Sequence, residues 1–259
     1  MPPVNTLYSG FHYCIKGAAL LLQPGIKRFV LVPLLANVVV FLVLTFFLIQ
    51  SFTTVEHWFA GALSAWSWLT FIASFIAAFL TGLVFFLLFV IYGYSFNIIT
   101  NIIAAPFYGL LAEKIEQAIT QTDLSPESIA QIAVRTLKRE IIKLWYFISR
   151  GIIVFFGLFI LSFIPPLNLL VPVLALLWSA WVLTLQYIDY PADNHKMPFH
   201  SLRQTLKSHK YSTTGLGSTI MLGSMIPVIN IVVMPVAVAA GTLMWVNEIA
   251  GKKTLLAQQ

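Results

Sequence analysis

The sequence holds one cysteine, Cys14, among 259 residues. A lone thiol excludes an internal disulfide and any metal cluster built on several cysteines, and it reads as a small buried hydrophobe. Charge is scarce as well. Asp, Glu, Lys and Arg make up 9% of the chain, against roughly a quarter in soluble domains. A chain so poor in charge cannot clothe its surface for water. Residues 29–52 and 58–112 contain no Asp, Glu, Lys or Arg. The first run, as helix, rises ~36 Å at ~1.5 Å per residue, enough to cross a hydrocarbon core of ~30 Å with some tilt. Neither run alternates in polarity as the strands of a membrane barrel do. The sequence therefore predicts an all-α integral membrane protein.

Motifs of enzyme chemistry are missing too. There is no His-Glu-x-x-His, no Gly-x-Ser-x-Gly and no Gly-x-x-x-x-Gly-Lys string, so zinc hydrolysis, a serine nucleophile elbow and ATP-driven pumping lose their usual carriers. The histidines at 12, 57, 195, 200 and 209 are scattered. No enzyme, metal or cofactor is expected, and any transport would be downhill or coupled to an ion gradient.

The first charge is Lys16, so no basic segment precedes the first apolar stretch as in a signal peptide. An interfacial helix is expected at 6–22. The net charge of +6 comes from residues that flank apolar segments and form no single stripe, which argues for membrane topology over nucleic acid. The loop at 53–68 carries Glu56 and no Lys or Arg, whereas Lys16, Lys27 and Arg28 precede it and Lys114 to Arg150 follow the second apolar run. The positive-inside rule then places 53–68 outside and both termini in the cytoplasm.

Along the chain, 29–52 and 69–111 are expected as two long membrane helices, the second kinking or breaking at Pro106. Ser125-Pro126-Glu127 reads as the start of a basic amphipathic helix over 125–150, with Ser125 as N-cap and Arg135, Arg139 and Lys143 on one face. Such a face belongs at the cytoplasmic membrane surface or in plain solvent. A repeat follows. Ser162-Phe163-Ile164-Pro165-Pro166-Leu167-Asn168-Leu169 corresponds to Ser224-Met225-Ile226-Pro227-Val228-Ile229-Asn230-Ile231, each inside a charge-free stretch, 151–188 and 211–247. A Pro-x-x-Asn element in an apolar run breaks the helix and turns the chain. The legs are short, ~21 Å for 151–164, so these are expected as two Pro/Asn-turn helical hairpins that penetrate the bilayer only part-way. All of this makes one membrane domain over 1–259.

Two clusters could carry function. Gln23-Pro24-Gly25-Ile26-Lys27-Arg28 stands just before the first span. A helix that begins there offers unpaired N–H groups and a positive dipole end to an anion, with Lys27 and Arg28 as cations. The bland alternative is a pair of cations that only anchor the span. The second cluster comprises Gln186, Asp189, Asp193, Asn194, His195 and Lys196. It could partner basic residues along an ion route, or it could be a tight loop held by Asp caps and salt bridges.

The strings Gln23-Pro24-Gly25-Ile26-Lys27-Arg28-Phe29, Ala104-Ala105-Pro106-Phe107-Tyr108-Gly109-Leu110-Leu111-Ala112-Glu113, Gln186-Tyr187 through Asp189-Tyr190-Pro191, Asp193-Asn194-His195-Lys196 and Met234-Pro235-Val236-Ala237-Val238 resemble the CysZ family of bacterial sulfate permeases, in order and over nearly the whole chain. The resemblance implies two long membrane helices with partial hairpins, homo-oligomers, and sulfate uptake across the bacterial inner membrane for cysteine biosynthesis. The family's anion-binding motif falls here on Gly25, Ile26, Lys27 and Arg28, with Lys27 where the family often has Arg. Sulfate and the lipid bilayer are the expected partners, and nucleic acid is not. The alternative function is a membrane partner or regulator of another sulfate transport system that moves nothing itself.

Overall fold

The computed structural model describes residues 5–23, 25–64, 70–121 and 128–250, which are helical almost throughout and contain no strand. The helices are α1 (Leu7–Leu21), α2 (Lys27–Ser64), α3 (Thr70–Thr120), α4 (Ile129–Ser162), α5 (Val171–Asn194), α6 (Phe199–Ser208), α7 (Lys210–Ser224) and α8 (Pro227–Met244). A short 3-10 turn, Leu167–Leu170, precedes α5, and a π-helical turn, Trp245–Ala250, follows α8. Among the described residues, five stretches are long and apolar enough to cross a membrane. They are Val30–Val55, Ala78–Phe96, Ala130–Ser162, Leu167–Asn194 and Val232–Ala250. The chain is a multi-pass, all-α membrane protein.

The residues Leu34–Ala104 form one compact unit, and Met1–Pro33 with Ala105–Gln259 form the other. In the first unit α2 and α3 run antiparallel. Phe41 meets Phe96 edge-on at 6.2 Å, the Thr45 and Tyr92 hydroxyls bond at 3.0 Å, and Phe52 meets Phe85 at 4.6 Å. Most other described side chains here, such as Leu35, Phe46, Phe47, Phe79 and Phe86, point outward. That is the surface a helix pair shows to lipid, where apolar side chains have no reason to hide.

In the second unit α1, α5, α7 and α8 pack together, and α4 lies against α5. Small residues set the distances. A Cβ added to Gly10 of α1 would fall 2.0 Å from the Leu216 nitrogen, and one on Gly217 of α7 would fall 1.9 Å from the Ala180 carbonyl oxygen. Backbone therefore touches backbone, the packing that glycine permits between membrane helices. Buried polar bonds cross the same contact. Ser9 and Ser212 hydroxyls lie 2.8 Å apart, and Tyr13 and Ser212 donate to Glu248 Oε1 at 3.0 and 2.9 Å. Cys14 is a free thiol buried on this face of α1.

Four expectations change. First, α3 continues through Pro106 without a break. The apolar neighbours of that proline keep the helix while it forgoes one backbone bond. Second, the described part of 125–150 from residue 129 and the leg from 151 are one helix, since α4 runs uninterrupted to Ser162. Its length of ~51 Å exceeds the short leg reckoned from the charge-free run alone. Third, the N-cap is Ser128, which exchanges capping-box bonds with Gln131; Ser125, Pro126 and Glu127 lie outside the described residues. Fourth, the basic face of α4 turns inward, while Ile141, Trp145 and Ile148 on its other side are exposed.

Candidate functional site

The turn before α2 is built by backbone chemistry. The Ile26 N–H donates to the Gln23 carbonyl at 3.3 Å, and Gly25 between them has φ 91°. Positive φ at the third residue is the pattern of a type II turn, which a side chain would strain. A Cβ on Gly25 would meet nothing within 4 Å. The glycine is thus required by its backbone angle and leaves the turn bare. Ile26 is buried, 5% exposed, and pins the turn to the protein.

The helix then starts at Lys27, with no acidic residue in its first turn. Its first N–H groups have no partner within the helix, and no carboxylate of that turn answers the dipole. Lys27 is exposed. Arg28 belongs to the helical backbone of α2, and its side chain lies outside the described residues. The arrangement offers an open, cationic helix start immediately ahead of the apolar stretch Val30–Val55.

The second cluster is not a loop. Gln186, Asp189, Asp193 and Asn194 occupy the last turns of α5, and Pro191 sits inside that helix. Asp189 accepts a forked pair from Arg139, Nε at 2.9 Å and Nη2 at 2.6 Å, and lies 3.5 Å from Lys143 Nζ. Asp193 accepts from Arg135 Nη1 at 2.7 Å. Lys143 also bonds Glu140 at 2.5 Å and lies 4.4 Å from the Tyr190 ring centre. Asn194 Nδ2 donates to the Gly109 carbonyl at 2.9 Å, and His195 Nε2 pairs with Glu116 Oε1 at 2.8 Å. Gln186 Nε2 reaches the Tyr190 hydroxyl at 3.3 Å. Lys196 closes the helix end, its N–H bonded to the Asp193 carbonyl at 2.8 Å.

The Arg139–Asp189 and Lys143–Glu140 pairs lie almost wholly out of water, with Asp189 1% exposed, whereas Arg135 and His195 are part-exposed. Buried pairs recover their desolvation cost only with close geometry, and the forked Arg139–Asp189 contact has it. The network ties α4, α5 and the end of α3 into one body. It is charge-balanced, three cations of α4 against Asp189, Asp193 and Glu140. No described hydrogen bond or ion pair joins it to residues 25–27. Sequence reasoning named the acids but not their partners. The signal was there: Arg135 and Arg139 share the four-residue spacing of Asp189 and Asp193.

Residues 13–235 match the family described as "Sulfate transporter CysZ/Etoposide-induced protein 2.4". The chain is 39% identical over 244 residues to the "Sulfate transporter CysZ" of Pseudomonas syringae pv. tomato, covering 93% of this chain and 92% of that protein. It is 40% identical over 245 residues to the protein of the same name from Pectobacterium atrosepticum, covering 93% and 85%. The Vibrio parahaemolyticus protein of that name is 38% identical over 249 residues, covering 94% and 96%. The chain belongs to the CysZ sulfate transporter family.

Proposed function

We propose that this family member is a permease that carries sulfate across the bacterial inner membrane, supplying cysteine biosynthesis, and takes up the anion at Gly25, Ile26, Lys27 and Arg28. The observation that carries the capture site is the bare, positive-φ turn opening onto a helix start with no acid in its first turn. Relatives named as sulfate transporters over nearly their whole length support the cargo. Sulfate is a strongly hydrated dianion, so its lost water must be replaced by fixed donors. Free N–H groups at the start of α2, the Lys27 ammonium and the Arg28 guanidinium are such donors.

The paired network at Asp189 and Asp193 plays a different part. Its charges cancel, so it does not draw an anion; it holds α4 to α5. Both termini lie in the cytoplasm, and copies of the chain assemble as homo-oligomers through apolar faces that the single chain leaves open. The second hairpin enters the bilayer part-way, since α7 has 15 residues and reaches only ~22 Å.

The test is radiolabelled sulfate uptake into proteoliposomes by the wild type and by Lys27→Ala/Arg28→Ala. Wild-type uptake falling at least tenfold in the folded double variant is the expected result. Equal uptake by both would return the two cations to anchoring. No uptake by folded wild type would favour a partner of another transport system.

A further inference from the structure

From Asn194 to Asn247 the chain holds no Asp or Glu, and its arginine there is Arg203 on α6. The Arg203 guanidinium carbon lies 4.5 Å from the Tyr146 ring centre and 5.3 Å from that of Phe199. Those two rings meet edge-on at 5.5 Å, so α4 and α6 together make its seat. Aromatic rings fix an arginine without using its hydrogen-bond donors. Among the described residues Arg203 has no hydrogen bond and no ion pair, and its Nε is buried without an acceptor. A buried N–H in that state is costly and rare. Arg139 shares the Phe199 ring at 5.2 Å, but Asp189 answers it. The last acid of α4 before Tyr146, Glu140, is bound to Lys143.

Tyr146 adds a second open donor. Its hydroxyl accepts from Trp181 Nε1 at 3.2 Å, and no described residue accepts its own hydrogen. The depth of this seat follows from α4. Four residues beyond Tyr146 is Arg150, exposed and without an ion pair among the described residues. From Gly151 onward the helix is apolar, with Ile152, Ile153, Phe155 and Phe156 exposed. Trp145, beside Tyr146, is 73% exposed. Tryptophan, tyrosine and cations at the end of an apolar stretch mark the level where headgroups meet hydrocarbon. Forked guanidinium donors and a hydroxyl suit phosphodiester oxygens. With no acid to oppose the two arginines, a headgroup of net negative charge is favoured over a zwitterion.

We infer that Arg203 and the Tyr146 hydroxyl bind the phosphodiester of an anionic phospholipid, with Arg150 on its flank and its acyl chains along the apolar leg of α4. The network at Asp189 and Asp193 takes no part, nor does the turn at 25–28. The inference stands apart from what the chain transports.

The test compares wild type, Arg203→Ala, Arg203→Lys and Tyr146→Phe as full chains in detergent, with folding checked by circular dichroism and size exclusion. Native mass spectrometry titrates phosphatidylglycerol and phosphatidylcholine onto each. Wild type should prefer phosphatidylglycerol, and Arg203→Ala should bind that lipid about tenfold more weakly. Arg203→Lys keeps the charge without the fork, and Tyr146→Phe keeps the ring without the hydroxyl. Each should weaken phosphatidylglycerol binding about threefold. These two conserve the packing and decide the question should Arg203→Ala not fold. Wild-type affinity for phosphatidylglycerol in folded Arg203→Ala, or in both conservative variants, overturns the inference. Equal binding of the two lipids by wild type does so too. If Arg203→Ala instead loses binding of radiolabelled sulfate with phosphatidylglycerol unchanged, the seat takes a free anion and the lipid assignment is wrong.

Discussion

In the first hairpin α4 and α5 point Phe155, Phe159, Leu174 and Leu177 away from the protein, whereas in the second α8 turns Ala237, Val238, Ala239 and Ala240 fully inside. Of an 18-residue apolar segment within Val232–Ala250, 72% is buried within the chain, against none of the corresponding segment within Ala130–Ser162 of α4. Both hairpins turn at a copy of one Ser-x-Ile-Pro-x-x-Asn element, and both tips are apolar and exposed, with Phe163 and Leu169 on one and Met225 and Ile226 on the other. The turn element alone thus does not decide where a hairpin goes. The legs do. The outward leg of the first hairpin is Gly-Ile-Ile-Val-Phe-Phe-Gly-Leu-Phe-Ile from residue 151, too bulky for close approach. The matching leg of the second contains Gly215, Gly217, Thr213 and Ser212, which let α1 and α5 come to backbone contact. Hydrophobicity puts both in the membrane; side-chain size selects which one is covered by protein.

The sharpest way to break this contrast is to cut the polar tie of the first hairpin. Asp189→Ala leaves Arg139 buried without its carboxylate and Lys143 with Glu140 alone, and should cost about 3–5 kcal/mol. Arg139→Met with Asp189→Leu should restore most of that, because the charge and its partner leave together. Thermal unfolding in detergent reads both, and a wild-type midpoint for Asp189→Ala would show that packing alone holds α4 to α5.

A smaller effect separates the glycines. Gly217→Ala drives a methyl into the Ala180 carbonyl and should cost about 1–3 kcal/mol. Gly157→Ala in the first hairpin meets nothing within 4 Å and should gain about 0.5–1 kcal/mol. Like effects at both positions would erase the distinction. The last test reads lipid exposure directly. Spin labels at Phe156→Cys and Val238→Cys in a Cys14→Ala background should differ in collision with lipid-soluble oxygen, high at 156 and low at 238. Equal accessibility would mean that the second hairpin is not covered by protein.

Much of this architecture is written in single strings. The charge-free runs locate α2 and α3. Ser128-Ile129-Ala130-Gln131 is a capping-box string that competes with Ser125-Pro126-Glu127 for the start of α4, and its reciprocal side-chain bonds mark the observed start. The Pro-Gly pair before Lys27 already implies a turn that opens onto a helix. Pairing was also accessible. Arg135 and Asp193, like Arg139 and Asp189, stand at equal distances in sequence from Ile164 at the hairpin tip, as an antiparallel pair of helices requires. The inward turn of the basic face was harder to see. Taken alone, Arg135, Arg139 and Lys143 look the same facing water, headgroups or carboxylates, and only the neighbouring helix decides. The continuity of α4 past Arg150 was hidden for a related reason, since a change from mixed to apolar composition marks a change of surroundings and not a break in the backbone.

The bonds from Ser9 and Tyr13 to Ser212 and Glu248 bridge 203 and 235 residues. At about 5–20 residues per second, the ribosome needs about 10–40 s to make the chain between Ser9 and Ser212. For that interval the first helix made has no α7 or α8 to receive it. The glycine face of α1, shaped for backbone contact, waits uncovered until α7 and α8 have been made. A message cut short before α7 would release a protein whose first helix has no seat, and quality control could recognise it by that vacancy.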